Sequence, residues 1–96
     1  MTRLAFGVHS AVPSSISGCV EVIGRCYAGP VPLRAVFSRV EPATDGADKP
    51  IRLELQSIEA YGQSLPELDE GLTAKLLLQG QRVELYEGDI LWGSTP

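Results

Sequence analysis

The chain contains one histidine, His9, and any nucleophilic catalytic triad would depend on it. A serine or cysteine nucleophile needs such a base beside it. The nearby candidates are Ser10, Ser14, Ser15 and Cys19. No Gly-x-Ser-x-Gly sequence surrounds any of them, so the local signature of a nucleophile turn is missing. We therefore expect His9 to lie at the surface near a loop, and we predict no catalytic residue.

The phosphate-binding and metal-binding patterns are also incomplete. Glycines bound residues 18–24, but Arg25 and Cys26 follow the second glycine where a phosphate loop requires Lys and Ser or Thr. The acidic group formed by Glu67, Asp69 and Glu70 lacks the residue order of a calcium loop. We read this group as a solvated turn. The sequence predicts no cofactor and no metal.

The two cysteines, Cys19 and Cys26, are predicted to lie in one strand. That spacing along a strand separates them by roughly 23 Å and points them to opposite faces. A disulfide needs Cα atoms within about 7 Å, so we expect two reduced thiols. Two cysteines with no neighbouring histidine also fall short of a zinc site.

Binding residues are easier to nominate than catalytic ones. Tyr27, Tyr61, Tyr86 and Trp92 are each predicted to end a strand or lie beside a turn. Tyr and Trp are favoured at the centres of protein interfaces, so these four form a candidate contact patch. The alternative is that they cap the core of the domain. Arg25, near Tyr27 on the outward face of the same strand, completes the predicted contact pair.

The elements that must position these residues are strands. Apolar and polar residues alternate with a period of two through most of the chain. The apolar positions are Leu4, Phe6 and Val8; Val20 and Val22; Val31, Leu33, Ala35 and Phe37; Ile51, Leu53 and Leu55; Ala74, Leu76 and Leu78; and Val83 and Leu85. The phase slips at Ser57-Ile58, as a β-bulge would make it. Helical spacing is confined to residues 65–70, where one turn is the most we expect.

The turn residues agree with short antiparallel strands. Ala28-Gly29-Pro30 predicts a tight hairpin, and residues 41–50 predict a polar loop that is the most mobile internal segment. Gly71, Gly80 and Gly88 supply positions where a positive φ is needed. Six or seven short strands at this spacing predict a small closed antiparallel β-barrel, with one domain over residues 1–96.

The charge balance restricts the partners. The net charge is −4. The first half balances, whereas the second half holds the whole acidic excess. Duplex DNA-binding modules present a basic stripe. This chain has no cluster of Lys and Arg in its sequence, although a barrel could gather Arg25, Arg34 and Arg39 on one side. We predict no binding to duplex DNA. No apolar run is long enough to span a membrane and residues 1–9 lack a signal-peptide pattern, so a cytoplasmic location is expected.

Several motifs resemble the translation-protein β-barrel, the second domain of translational GTPases such as elongation factor Tu. Residues 17–29 resemble its glycine-bounded strand and residues 51–58 its middle strand. Residues 70–80 and 87–91 resemble its Gly-x-x-Ala turn, apolar strand and Gly-Asp-Ile-Leu ending. The resemblance implies a Greek-key-like barrel that holds the aminoacyl end of tRNA or contacts the ribosome, with residues 9–18 lining the pocket.

Two departures limit what this resemblance implies. Val31-Pro32-Leu33-Arg34 stands where the family has a glycine followed by an acidic residue, and these 96 residues contain no GTPase domain. No pocket side chain matches one for one. We therefore expect a non-catalytic binding module for a protein with a basic surface: an accessory, regulatory or immunity-type subunit. The alternative is an RNA- or ribosome-associated module. A small-ligand barrel is disfavoured by the small interior.

Overall fold

A computed structural model describes residues 3–44 and 46–95, and these residues form strands and turns without a helix. The strands are β1 Arg3–Pro13, β2 Cys19–Ala28, β3 Val31–Pro32, β4 Val36–Glu41, β5 Lys49–Ala60, β6 Gln63–Leu65, β7 Glu67–Leu68, β8 Thr73–Gly80 and β9 Ile90–Ser94. No helix in the described part of the chain could cross a membrane.

Six antiparallel strands close into a barrel. Around the wall the order is β1, β2, β8, β5, β4 and β9, and β9 pairs again with β1. β6 pairs with the end of β5 outside this circuit, and β3 pairs with β7 in a small separate sheet. The predicted small closed antiparallel barrel is confirmed. Closure gives most strands a partner on both sides, which protects their backbone hydrogen-bonding groups.

The barrel interior is filled by the predicted inward positions. Phe6 and Phe37 are the largest fully buried side chains, and leucines from β1, β5, β8 and β9 pack around them. Burying a side chain of this size stabilises the fold by roughly 1.5–3 kcal/mol relative to leaving it exposed. The slip in alternation near Ser57 is also confirmed, because the β5–β8 register shifts between Leu55 and Ser57.

Two predictions around β3 are wrong. The alternation from Val31 to Phe37 was expected to be one strand, but a turn at residues 33–35 divides it. Arg34 has a φ of 73°, and Leu33 is exposed instead of buried. The expected hairpin at residues 28–30 is absent as well, because β3 pairs with β7 and not with β2. The Gly29–Pro30 peptide in this corner is cis.

Two further predictions are corrected, whereas residues 65–70 stay within the expected limit of one helical turn. Residues 65–70 form no helical turn, since Pro66 separates β6 from β7. Val83 and Leu85 lie in no strand, although both pack against the core. Alternation indicates which side chains are buried, but it does not indicate whether the backbone pairs with another strand. A segment that packs against the core without pairing can therefore show the same pattern as a strand. His9, which was expected at the surface near a loop, is exposed but lies within β1.

The turn before β9 follows the prediction, and its aspartate has a structural role. Asp89 is buried and accepts hydrogen bonds from the backbone N–H groups of Ala43 (3.0 Å) and Tyr86 (2.9 Å). The first bond ties the loop between β4 and β5 to this turn. Within the predicted mobile loop, Asp45 lies outside the described residues. Gly71, Gly80 and Gly88 have the expected positive φ values.

Candidate binding surface

The outward face of β2 presents a row of side chains beside a shallow concavity. Ile23, Arg25 and Tyr27 alternate along the strand and are all exposed. With His9 of β1 and Glu87 of the turn before β9, they line an open cleft of about 450 Å³, which we call the β1–β2 cleft. The predicted contact pair, Arg25 and Tyr27, therefore lies together on its wall.

The cleft exists because a glycine replaces a side chain on β1. Gly7 lies opposite Arg25 in the β1–β2 register, and the ring of Tyr27 covers it. A Cβ on Gly7 would overlap that ring. Gly24 has a different reason, because a Cβ there would overlap the backbone carbonyl of Gly7. One glycine thus makes room for an aromatic ring, and the other allows two strands to approach closely.

Acidic groups flank the cleft on two sides. The Arg25 guanidinium donates through Nε to the Gly71 carbonyl oxygen at 3.1 Å, which holds it against the turn that carries exposed Asp69 and Glu70. On the other side, His9 Nδ1 lies 3.7 Å from a carboxylate oxygen of Glu87, and both side chains are largely exposed. The cleft therefore has apolar, aromatic and basic side chains at its centre, including one arginine, and acidic side chains around it.

The structure places Trp92 away from the cleft, and in the middle of β9 instead of at a strand end. The indole is half-buried. The guanidinium carbons of Arg3 and Arg39 lie 4.5 and 5.2 Å from its ring centroid. Its Nε1 donates to Glu41 at 3.3 Å, and Arg39 pairs with Asp48. Trp92 is thus already covered by residues of its own chain.

Tyr61 and Tyr86 are separate from both sites. Tyr61 lies at the β5–β6 turn with a φ of 55° and is 77% exposed. The Tyr86 hydroxyl donates to a Glu84 carboxylate oxygen at 2.6 Å, and this bond, with the Glu84 charge, raises the pKa of Tyr86. The five predicted contact residues therefore do not form one patch.

The basic residues are distributed around the barrel. Arg25 lies in β2 and Arg39 in β4, on opposite sides of the barrel wall. Arg34, in the turn before β4, contacts a carboxylate oxygen of Glu54 at 3.4 Å. That bond helps to lower the pKa of Glu54, after a larger effect from the Gln56 amide. The possible gathering of these three arginines on one side does not occur.

Sequence reasoning missed part of the cleft. Ile23 shares the outward phase of Arg25 and Tyr27, so the same alternation could have identified it. Gly7, His9 and Glu87 carried no such signal, because they approach β2 only through strand pairing and through the turn at residue 88. Pairing across such distances is not encoded in local periodicity.

The described residues also include His, Cys, Asp and Glu side chains, which are the types that could bind a metal. No group of three or more His, Cys, Asp and Glu among them could hold a metal ion. Both cysteines are free and lie in β2, as predicted. Cys26 is buried, and desolvation raises the pKa of its thiol, with a further contribution from Glu70.

Comparisons with known proteins place the chain in no family: no family model matches it, and no curated protein is significantly similar to it. The resemblance to the translation-factor barrel therefore stays a prediction from the motifs quoted above.

Proposed function

We propose that this protein is a non-catalytic binding module and that its β1–β2 cleft binds a protein partner with a basic surface. The observation that carries the proposal is the exposed row of Ile23, Arg25 and Tyr27 beside Gly7. Tyr27 is 54% exposed and Ile23 is 41% exposed. Interface centres are enriched in tyrosine and arginine, which combine a large contact area with hydrogen-bonding groups.

The shape of the cleft favours a macromolecule over a small ligand. A small-molecule site encloses its ligand and commonly buries about 70–90% of the ligand surface. The β1–β2 cleft is open to solvent along the exposed faces of Arg25 and Tyr27. A protein surface can cover such a cleft and exclude water from the tyrosine and isoleucine together.

The charge around the cleft favours a partner with a basic surface. Glu87 lies at one side and Asp69 and Glu70 at the other, and the chain as a whole carries a net charge of −4. Complementary charge accelerates association and discriminates against partners of like charge. An accessory, regulatory or inhibitor-type subunit that covers a basic surface fits these features. A cytoplasmic setting accords with the two free cysteines.

The second candidate is an RNA- or ribosome-associated module. The observation that favours it is the surface around Trp92, where two arginines meet an aromatic ring. Such groups can contact phosphates and stack on bases. The pairing of Arg39 with Asp48 and the bond from Trp92 to Glu41 use part of that capacity. We therefore place this candidate second.

A capture experiment with matched tyrosine variants tests the proposal. The tagged protein is incubated with native lysate, with and without nuclease, and retained molecules are identified by mass spectrometry. Tyr27→Ala removes the ring over Gly7. Tyr61→Asn is the control, because it removes a tyrosine outside the cleft that is even more exposed than Tyr27, and asparagine tolerates the positive φ.

We expect a nuclease-resistant basic protein that the wild type and Tyr61→Asn retain, that Tyr27→Ala loses, and that is released by salt. Equal retention by Tyr27→Ala would contradict the assignment of the β1–β2 cleft. A set of partners lost on nuclease treatment and sensitive to Arg3→Gln would instead support the RNA-associated candidate.

A further inference from the structure

The second half of β1 has a backbone edge without a neighbouring strand. β9 pairs with β1 only from Arg3 to Gly7, whereas β2 pairs with it as far as Pro13. The bonds between Val8 and the turn at residues 88–89 are the last on this side: Val8 N–H donates to Asp89 O at 2.8 Å, and Gly88 N–H to Val8 O at 2.9 Å. Farther along β1, no described residue continues this pairing.

The hydrogen-bond pattern identifies which groups face outward from this edge. Ser14 N–H donates to Cys19 O at 3.2 Å, and these two residues continue the β1–β2 register. Antiparallel partners alternate between pairs that exchange hydrogen bonds and pairs that do not. Ser10 and Val12 therefore bond to β2. The N–H and C=O of Ala11 and the C=O of Pro13 point to the unpaired side.

A cleft follows this edge. The chain before β9 turns away at residues 86–89 and leaves a space of about 380 Å³ between residues 11–13 and residues 82–86. Val20 and Leu85 contribute apolar surface to the cleft, and Arg82 and Glu84 contribute one charge of each sign. The space therefore lies beside the unpaired residues 11–13 of β1.

The edge has few of the features that usually discourage strand pairing. Charged side chains commonly protect exposed edges. Residues 4–20 contain no Asp, Glu, Lys or Arg, and Val12 and Ile16 beside the edge are 53% and 55% exposed. Pro13 and the register shift between Val8 and Ser10 limit the edge to a short stretch.

We propose that this open edge binds an extended segment of a partner protein, which adds to β1 as a strand. The Ala11 N–H and C=O bond to the backbone of the incoming segment, and its alternate apolar side chains pack on Val20 and Leu85. A second copy of this chain fits less well, because each copy carries a net charge of −4 and residues 82–86 line the edge. The open edge and the β1–β2 cleft are lined by different residues, so the two proposals are independent.

The test uses the whole protein and a phage-displayed library of random peptides of about eight residues, long enough to extend past the edge. Enriched peptides are synthesised and their Kd is measured for the wild type, Ala11→Pro and Tyr27→Ala. Ala11→Pro removes the outward N–H without removing a bond to β2. Amide hydrogen exchange at Ala11 is measured with and without peptide, so the assignment does not depend on the variant folding.

We expect enriched peptides that slow exchange at Ala11, bind Ala11→Pro roughly tenfold more weakly and bind Tyr27→Ala unchanged. The proposal is overturned if no peptide is enriched over a panning control, or if bound peptides leave Ala11 exchange unaltered. Sedimentation of the wild type is the second measurement. A dimer that Ala11→Pro dissociates would assign the edge to a second copy and overturn the partner segment.

Discussion

Tyr27 and Trp92 lie on the two strands that flank β1, yet their surroundings differ. Trp92 is half-buried, has Arg3 and Arg39 beside its ring and donates to Glu41. Tyr27 covers a glycine and leaves more than half of its surface exposed. An aromatic ring that its own chain has covered stabilises the fold, whereas one left open is available to a partner. We therefore expect Trp92 to stabilise the fold and Tyr27 to be available for binding.

The largest expected effect tests the barrel wall on which both rings lie. Leu76 of β8 is fully buried, and Leu77 beside it points outward. Leu76→Asp buries an unpaired charge, which costs several kcal/mol against a total stability of about 5–15 kcal/mol, so we expect loss of the fold. Leu77→Asp is the matched control and should change stability by no more than about 1 kcal/mol.

Circular dichroism melting of the two β8 variants distinguishes these cases. A native-like, cooperative transition for Leu76→Asp would contradict the inward register of β8. Loss of the transition in both variants would show that the outward face of β8 also packs against something.

The second-largest expected effect is a difference in stability between alanine variants of the two glycines at the β1–β2 cleft. A Cβ on Gly24 meets the backbone carbonyl of Gly7, which cannot move without disturbing β1, so Gly24→Ala should cost about 3 kcal/mol or more. Gly7→Ala meets the Tyr27 ring, which can rotate away, so about 1 kcal/mol is expected. Urea unfolding measures both. Partner binding should nevertheless fall for Gly7→Ala, and equal costs for the two variants would refute the distinction.

A direct test of the comparison exchanges the rings for alanine. Trp92→Ala removes a half-buried ring with its cation–π and hydrogen-bond contacts, so we expect a loss of about 2 kcal/mol. Tyr27→Ala should cost less than about 1 kcal/mol, because much of the ring is exposed in the folded state. Denaturant unfolding followed by circular dichroism suits both variants. A larger loss for Tyr27→Ala would reverse the assignment of structural and binding rings.

The smallest effect concerns Cys26, which faces inward between Arg25 and Tyr27. Its folded-state pKa is raised above the ordinary value of 9.0, so the neutral thiol stabilises the fold below that pH. This stabilisation declines as pH rises from about 9 through the folded-state pKa, because the unfolded chain loses the proton first. Melting temperature measured from pH 8 upward should decline less steeply for Cys26→Ala. An identical decline in melting temperature for the wild type and Cys26→Ala would show that the Cys26 thiol does not contribute to the loss of stability.

Alternation predicted the contents of the core better than the pairing of the strands. Val83 and Leu85 illustrate the difference: both pack against the core as their phase requires, yet their segment pairs with no strand. Leu33 shows the reverse error, since a turn at Arg34 interrupts the phase and leaves it exposed. The bulge near Ser57 was predictable because a slip in periodicity is itself a local signal.

The predicted contact residues show the same contrast: local spacing placed some of them correctly, whereas long-range contacts decided the surroundings of others. Arg25 and Tyr27 share a strand and a face, so the spacing of two residues was enough to place them together. Trp92 and Tyr27 were expected to act alike, but nothing local shows that Arg3, Arg39 and Glu41 contact the indole. Those contacts come from two other strands, β1 and β4, and they change an exposed candidate into a covered one.

The amino-acid sequence by itself determined a β fold, most of the inward-facing side chains, the glycine turns and the outward row on β2, because each depends on neighbours a few residues away. Only the tertiary structure decided the order of the six strands around the barrel, that the chain before β9 leaves the edge of β1 open, and that His9 and Glu87 meet beside Tyr27. The physical reason is that these features depend on which distant strands pair, and hydrogen bonding together with core packing selects those pairs only when the whole wall assembles.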